Sequence, residues 1–141
     1  MTFPESVSKC FRNYVTFSGR ASRPEYWWFV LFLVIGGGVA NILDTTVLGH
    51  QVFYKVTADG FSFKSGNGPV SALFNLATLL PGLSVFVRRM HDTGRSGWWF
   101  WLVLIPLVGW IILLVWLCRQ GGTGPNQYGA EPLQHIGTSP N

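Results

Sequence analysis

Charge is what this chain has least of. Asp, Glu, Lys and Arg make up 11% of its 141 residues, against about 25% in a typical soluble domain. Hydrophobic residues supply 48% and the mean hydropathy is +0.30. That balance argues against an ordinary soluble globule and for a single membrane domain, residues 1–141. Cysteine is scarce too: Cys10 and Cys118 fit no metal spacing and no disulfide framework. The three histidines, His50, His91 and His135, never stand three or four residues apart, so no zinc site and no cofactor is expected. Acidic residues number six against ten basic ones, a net charge of +4. The basic residues flank apolar segments rather than forming a stripe, so no nucleic-acid partner is expected. A small-residue cleavage site is missing after the first apolar run, which is therefore expected to stay as a signal anchor.

What is present is apolar sequence in long windows. Residues 26–43, 70–87 and 98–118 contain no Lys, Arg, Asp, Glu or His. At about 1.5 Å per residue they reach roughly 27, 27 and 31 Å, close to the hydrocarbon thickness of about 30 Å. Soluble core helices seldom run this far without a charge. The fold class expected is therefore all-α, with three transmembrane helices. Ahead of them, Phe3, Val7, Cys10, Phe11, Tyr14 and Val15 recur at helical spacing, with Glu5, Lys9 and Arg12 opposite. This predicts an amphipathic interfacial helix over 3–17, opened by the capping-box residues Thr2 and Glu5 and supported by a Glu5–Lys9 pair. Ser22 and Glu25 form a second capping box before the first span. The 44–69 loop alternates around Asp59-Gly60, a turn signal, and predicts a short β-hairpin. The tail, 119–141, is rich in Gly, Pro and polar residues and reads as flexible, with disorder from about Glu131.

Lys and Arg count seven on the N-terminal arm and the 88–97 loop, against three on the 44–69 loop and the tail. With three spans, the positive-inside rule puts the N-terminus and the 88–97 loop in the cytoplasm, and the 44–69 loop and the C-terminus outside. Cys10 and Cys118 are then about a bilayer apart. Trp98, Trp99 and Trp101 form an interfacial belt, with Trp116 near the far side. A re-entrant second segment, 70–87, would instead bring the tail inside.

Four blocks carry a family likeness: "FSGRASRPEYWWF" (17–29), "RRMHDTGRSGWW" (88–99), "LIPLVGWIILLVWLC" (104–118) and "GTGPNQYG" (122–129). In this order they resemble the domain of unknown function 805 family, small bacterial inner-membrane proteins. The resemblance covers about residues 11–129. It implies a bacterial inner-membrane location and no particular reaction.

The stretch with most chemistry is Arg88, Arg89, His91, Asp92, Gly94, Arg95 and Gly97. His91-Asp92 suggests acid–base work, but adjacent helical residues point about 100° apart and no nucleophile or metal ligand stands beside them. No catalytic residue is therefore expected. Two roles remain for this loop. One is binding anionic lipid headgroups through the arginines and through amides freed by Gly94 and Gly97. The other is docking on the arm, Asp92 with Arg20 or Arg23 and Glu25 with Arg89. Transport of a small molecule or ion is the alternative function, with a pore formed by an oligomer left open, yet the spans hold no ionisable group; Pro106 with Gly109 predicts only a kink that frees the Leu102 carbonyl. Helix packing is written more clearly. Ser71, Asn75, Thr78 and Gly82 fall within about 60° of one another on the second helix, and Gly36 and Ala40 stand at close-packing spacing on the first. The reading is a non-enzymatic structural, accessory or interaction component. Its expected partners are membrane lipids, anionic ones included, and a second copy or a membrane subunit.

Overall fold

The computed structural model describes residues 1–49, 53–57, 60–64 and 68–132. Its elements are α1 (Phe3–Arg12), α2 (Arg23–Thr46), β1 (Phe53–Thr57), β2 (Gly60–Lys64), α3 (Pro69–Asp92), a 3-10 helix (Gly97–Leu104) and α4 (Val108–Cys118). They fall into two compact units, Met1–Val30 with Pro81–Asn141, and Leu31–Leu80. His50, Asp59, His135 and the tail beyond residue 132 lie outside the described residues.

Two helices, α2 and α3, are long and apolar enough to cross a membrane, at 24 residues each. That is about 36 Å of helix. Only 11% of the apolar window of α2 and 28% of that of α3 is buried, whereas the core helix of a soluble protein would be mostly covered. Pro24 sits in the first turn of α2, where its missing N–H costs nothing. Ser22 Oγ accepts from Glu25 N at 3.3 Å and caps that end. Glu25 does not reach back to complete the box, because its carboxylate is engaged elsewhere.

In the Leu31–Leu80 unit, Asp44 of α2 is fully buried. Its carboxylate accepts from Val70 N at 3.0 Å and Ser71 N at 2.7 Å. It thus caps the start of α3 from another helix, satisfying N–H groups that have no partner within their own helix. A Cβ on Gly36 would stand 2.5 Å from the Phe74 ring. Ala40, Ser71 and Thr78 are buried, while Asn75 is exposed, so Asn75 drops out of the expected packing face. Strands β1 and β2 pair antiparallel, from Phe53 opposite Lys64 to Thr57 opposite Gly60.

The other unit holds the chain's ends. Helix α1 stops at Arg12, short of the expected 17: Asn13 turns its side-chain amide onto Lys9 O at 2.9 Å and Thr16 N returns to Asn13 O. Glu5 accepts from Thr2 N at 2.8 Å, and Lys9 turns to Glu25 instead of to Glu5. Met90, Leu113 and Leu117 form a core against Tyr26, Phe86, Leu102 and Trp116.

The third apolar segment departs most from expectation. It is not one spanning helix. The chain breaks at Leu107, whose φ of 62° and ψ of −69° form a tight γ-turn closed by Val108 N on Pro106 O at 2.8 Å. The Leu102 carbonyl is not freed by Pro106, for it takes Ile105 N at 3.0 Å. After the turn the chain doubles back. Trp110 Nε1 donates to Val103 O at 2.9 Å, and the Trp99 and Trp116 rings meet edge to face at 5.5 Å. Early residues of the 3-10 helix therefore face late residues of α4. Eight residues of 3-10 helix and 11 of α4 each reach only about 16 Å. Trp116 consequently lies beside Trp99 and not at a far interface.

Candidate functional site: a buried ion-pair cluster

Where α3 ends, a sequence of short-range signals shapes the chain. Gly94, at φ +75°, sends its N–H to His91 O at 3.0 Å, and Arg95 N reaches Met90 O at 3.0 Å. This is a Schellman closure of the helix. Ser96 then caps the 3-10 helix, its hydroxyl accepting from Trp98 N at 3.3 Å. The Gly94 and Arg95 amides are thus consumed by the helix end and do not form the anion nest expected there. Gly97 serves close packing, since a Cβ would lie 2.7 Å from Val87 Cγ1.

The charged residues turn inward. Arg88, Arg89 and Asp92 are 3%, 0% and 3% exposed, and Arg20 and Glu25 are 6% and 0% exposed. Asp92 Oδ1 accepts from Arg20 Nε at 2.9 Å, while Oδ2 pairs with Arg89 Nη1. Glu25 Oε1 pairs with Arg88 Nη1 at 2.5 Å and Oε2 with Lys9 Nζ at 2.7 Å. The expected partner of Glu25 was Arg89; one helical step turns Arg89 toward Asp92 and α4 instead. Arg89 also donates from Nε to Leu117 O at 3.2 Å and from Nη2 to Arg119 O. It closes the end of α4, whose last carbonyls have no helical donors. Arg23 stays exposed, so of the two arginines expected at Asp92 the arm supplies Arg20.

The tail is drawn into the same place. Arg20 Nη1 donates to Gly124 O at 2.6 Å and Nη2 to Gly122 O, and Gly122 N donates to Asp92 O at 2.9 Å. A Cβ at Gly121 would run into the Asp92 carboxylate, so glycine is what lets the tail approach. His91 stacks on Tyr128 with centroids 3.9 Å apart and planes 2° from parallel. Its Nδ1 lies 3.1 Å from Gly19 O, and its backbone carbonyl takes Asn126 Nδ2 at 2.9 Å. The arm, the 88–97 loop and the tail up to Glu131 therefore share one face. Cys118 lies between two residues bonded to Arg89, and Cys10 lies in the field of Glu25 and Arg88, so both cysteines stand beside the same cluster rather than about a bilayer's thickness apart as expected.

The chemistry open to this cluster is limited. Because a carbonyl only accepts, the His91 Nδ1 facing Gly19 O carries the proton, and it does not face Asp92. Both oxygens of Asp92 are held by guanidinium groups. A carboxylate-oriented imidazole, the core of an acid–base dyad, is not formed. Cys10 is fully buried, and its thiol is pushed up to about 12, first by burial and then by the Glu25 carboxylate. That is the opposite of an activated nucleophile. Among the described residues no group of three His, Cys, Asp or Glu could hold a metal ion. Sequence reasoning weighed Arg20 but missed the Lys9–Glu25 pair and the tail residues Gly121, Gly122, Gly124, Asn126 and Tyr128. The 122–129 block was the available signal, since glycines between polar residues mark close approach as well as flexibility.

Comparisons with known proteins place the chain among inner-membrane relatives. The chain is similar to the inner membrane protein YhaI of Escherichia coli strain K12, 42% identical over 121 residues, which are 86% of this chain and 89% of that protein. It is also similar to the inner membrane protein YhaH of the same strain, 38% identical over 124 residues, 88% of this chain and 93% of that one. No solved structure matches it. Residues 14–130 match the family described as protein of unknown function, DUF805, a span that holds Arg20, Glu25, Arg88, Arg89, Asp92 and Tyr128, and the chain belongs to that family.

Proposed function

We propose that this chain is a multi-pass protein of the bacterial inner membrane that acts as a non-enzymatic structural or interaction component. Its α2 and α3 cross the bilayer, and the hairpin of the 3-10 helix and α4 enters one leaflet and returns. This two-crossing reading replaces three crossings. Support comes from the two long apolar helices, from the names of the relatives, and from exposed apolar side chains such as Val34, Leu73, Leu76, Leu104 and Leu107, each at least 67% exposed. With arm, loop and tail on one face, eight of the ten Lys and Arg stand together against Lys55 and Lys64. The positive-inside rule then assigns that face, with both chain ends, to the cytoplasm.

The observation that carries the non-enzymatic reading is the consumption of the reactive groups. Asp92, Arg20, Arg89 and Glu25 all hold one chain segment to another, and His91 is stacked and bonded to backbone. A transporter buries ionisable groups along a pathway; here the buried ones lie at helix ends, and Asp44, near the end of α2, is spent on capping α3. Proteoliposome flux tests this. Ion and small-anion flux no greater than with a control membrane protein is expected. Flux above that control, lost in Arg88→Gln, would establish transport and overturn the reading.

A further inference from the structure

A groove of about 360 Å³ opens beside the cluster, walled by Phe17, Leu83, Val87, Trp98, Phe100 and Trp101, with Ser96 and His91 at its polar edge. That volume lies in the range of small-ligand sites. Its walls suit a hydrocarbon chain, and Trp98 and Trp101, at 76% and 58% exposed, are the side chains that sit at a headgroup boundary. The charges around it are one-sided. In the same unit Glu25 and Asp92 are committed to the buried cluster, Glu5 to Thr2 N and Glu131 to Gly124 N. Arg12, Arg23, Arg95 and Arg119 form no ion pair with a described residue. Arg95 adjoins the Ser96 edge of the groove in sequence. Its guanidinium lies 4.3 Å from the centroid of the Trp116 ring, and burial and then the nearby Arg119 both disfavour its charge. An anion at that position would relieve the repulsion.

We propose that the groove seats one acyl chain of an anionic phospholipid, whose phosphate lies beyond the Ser96 edge, where Arg95 stands outside the groove's walls. The apolar walls take the chain, Arg95 supplies a charge-assisted donor to the phosphate, and Arg119 adds the field that prefers an anionic headgroup over a zwitterionic one. The buried Arg88 and Arg89, which the sequence offered for headgroup contact, take no part. This site rests on the reading of the chain as a membrane protein, but not on its number of crossings.

The test is native mass spectrometry of the full-length protein released from vesicles of equal phosphatidylglycerol and phosphatidylcholine. One phosphatidylglycerol per chain is expected to survive release, with phosphatidylcholine retained at least tenfold less. Leu83→Trp, which fills the groove, should reduce retention about tenfold, whereas Leu79→Trp, placing the same ring on an exposed site of α3, should not. Arg95→Gln should bring retention of the two lipids toward equality. Should Leu83→Trp fail to fold, Phe17→Ala removes an exposed wall of the groove and is expected to weaken retention in the same direction. Equal retention of both lipids by the unaltered protein overturns the proposal, as does undiminished retention in a folded Leu83→Trp or Phe17→Ala. The membrane reading is scored separately in the same samples, by whether the protein stays with the vesicles after carbonate washing.

Discussion

Asp92 holds two guanidinium groups with its carboxylate and the tail with its carbonyl. Removing its charge leaves Arg20 and Arg89 buried with too little compensation, a loss of about 3–5 kcal/mol. Asp92→Asn should therefore lower the melting temperature in detergent by about 10 °C or more, while His91→Ala, which loses a stack and one backbone bond, should cost far less. Equal effects would show that the carboxylate is not the centre of the cluster. Arg20→Lys should also destabilise, because one ammonium cannot serve Asp92, Gly122 and Gly124 in the fixed fork that a guanidinium provides. The two thiols offer a pH test. Cys118 is exposed and Cys10 buried, with the Cys10 pKa raised from 9.0 to about 12. A raised folded-state value gives stability that is complete below the unfolded value and is lost as pH rises through the folded one. Alkylation at pH 8 should modify Cys118 alone, and the stability advantage of wild type over Cys10→Ser should shrink between pH 9 and 12. Rapid labelling of Cys10 in the folded protein would contradict its burial.

Among the helices, glycine marks contact at some sites and not at others. A Cβ at Gly36 meets Phe74, whereas one at Gly38 meets nothing within 4 Å. Gly36→Leu should therefore depress the melting temperature well beyond Gly38→Leu, and equal depression would remove the assigned contact. At the γ-turn, Leu107 occupies a positive φ that costs a branched residue about 1–2 kcal/mol; Leu107→Gly should be neutral or stabilising despite losing a large side chain. The two long helices were legible in the sequence because an uncharged window of 18 residues admits few other readings. Spacing singled out Gly36 and Ala40; Phe74 lies against Gly36 and Ala40 is buried. The break at Leu107 was not, because Pro106 at the middle of an apolar run is compatible with a kink as well as a reversal, and only the pairing of Trp99 with Trp116 and Trp110 with Val103 decides between them. The identity of the ion pairs was half legible. Composition requires Asp92 and Glu25 to meet arginines, but the choice between Arg88 and Arg89 depends on how the arm threads past α3. The tail was read from composition as flexible, when its glycines admit it to the Asp92 site up to Glu131.

At the scale of the molecule, one cluster joins three distant parts of the sequence: the arm through Arg20 and Glu25, the end of α3 through Arg88, Arg89 and Asp92, and the tail through Gly122 and Gly124. Loss of the tail should then be felt at the cluster. Truncation after Arg119 removes two acceptors of Arg20, the Gly122 and Gly124 carbonyls, and the ring on His91, and should lower the melting temperature by an amount similar to that of Arg20→Lys, with the two effects less than additive because they share partners. The central claim is that the third apolar segment turns back, so that both chain ends lie on the cytoplasmic side. Its most direct test is labelling by an impermeant maleimide in spheroplasts of a chain lacking Cys10 and Cys118, with single cysteines placed at Leu48 or Gln127. The account predicts that the Leu48→Cys chain is labelled in intact spheroplasts and the Gln127→Cys chain only after lysis; labelling of Gln127→Cys in intact spheroplasts would contradict it.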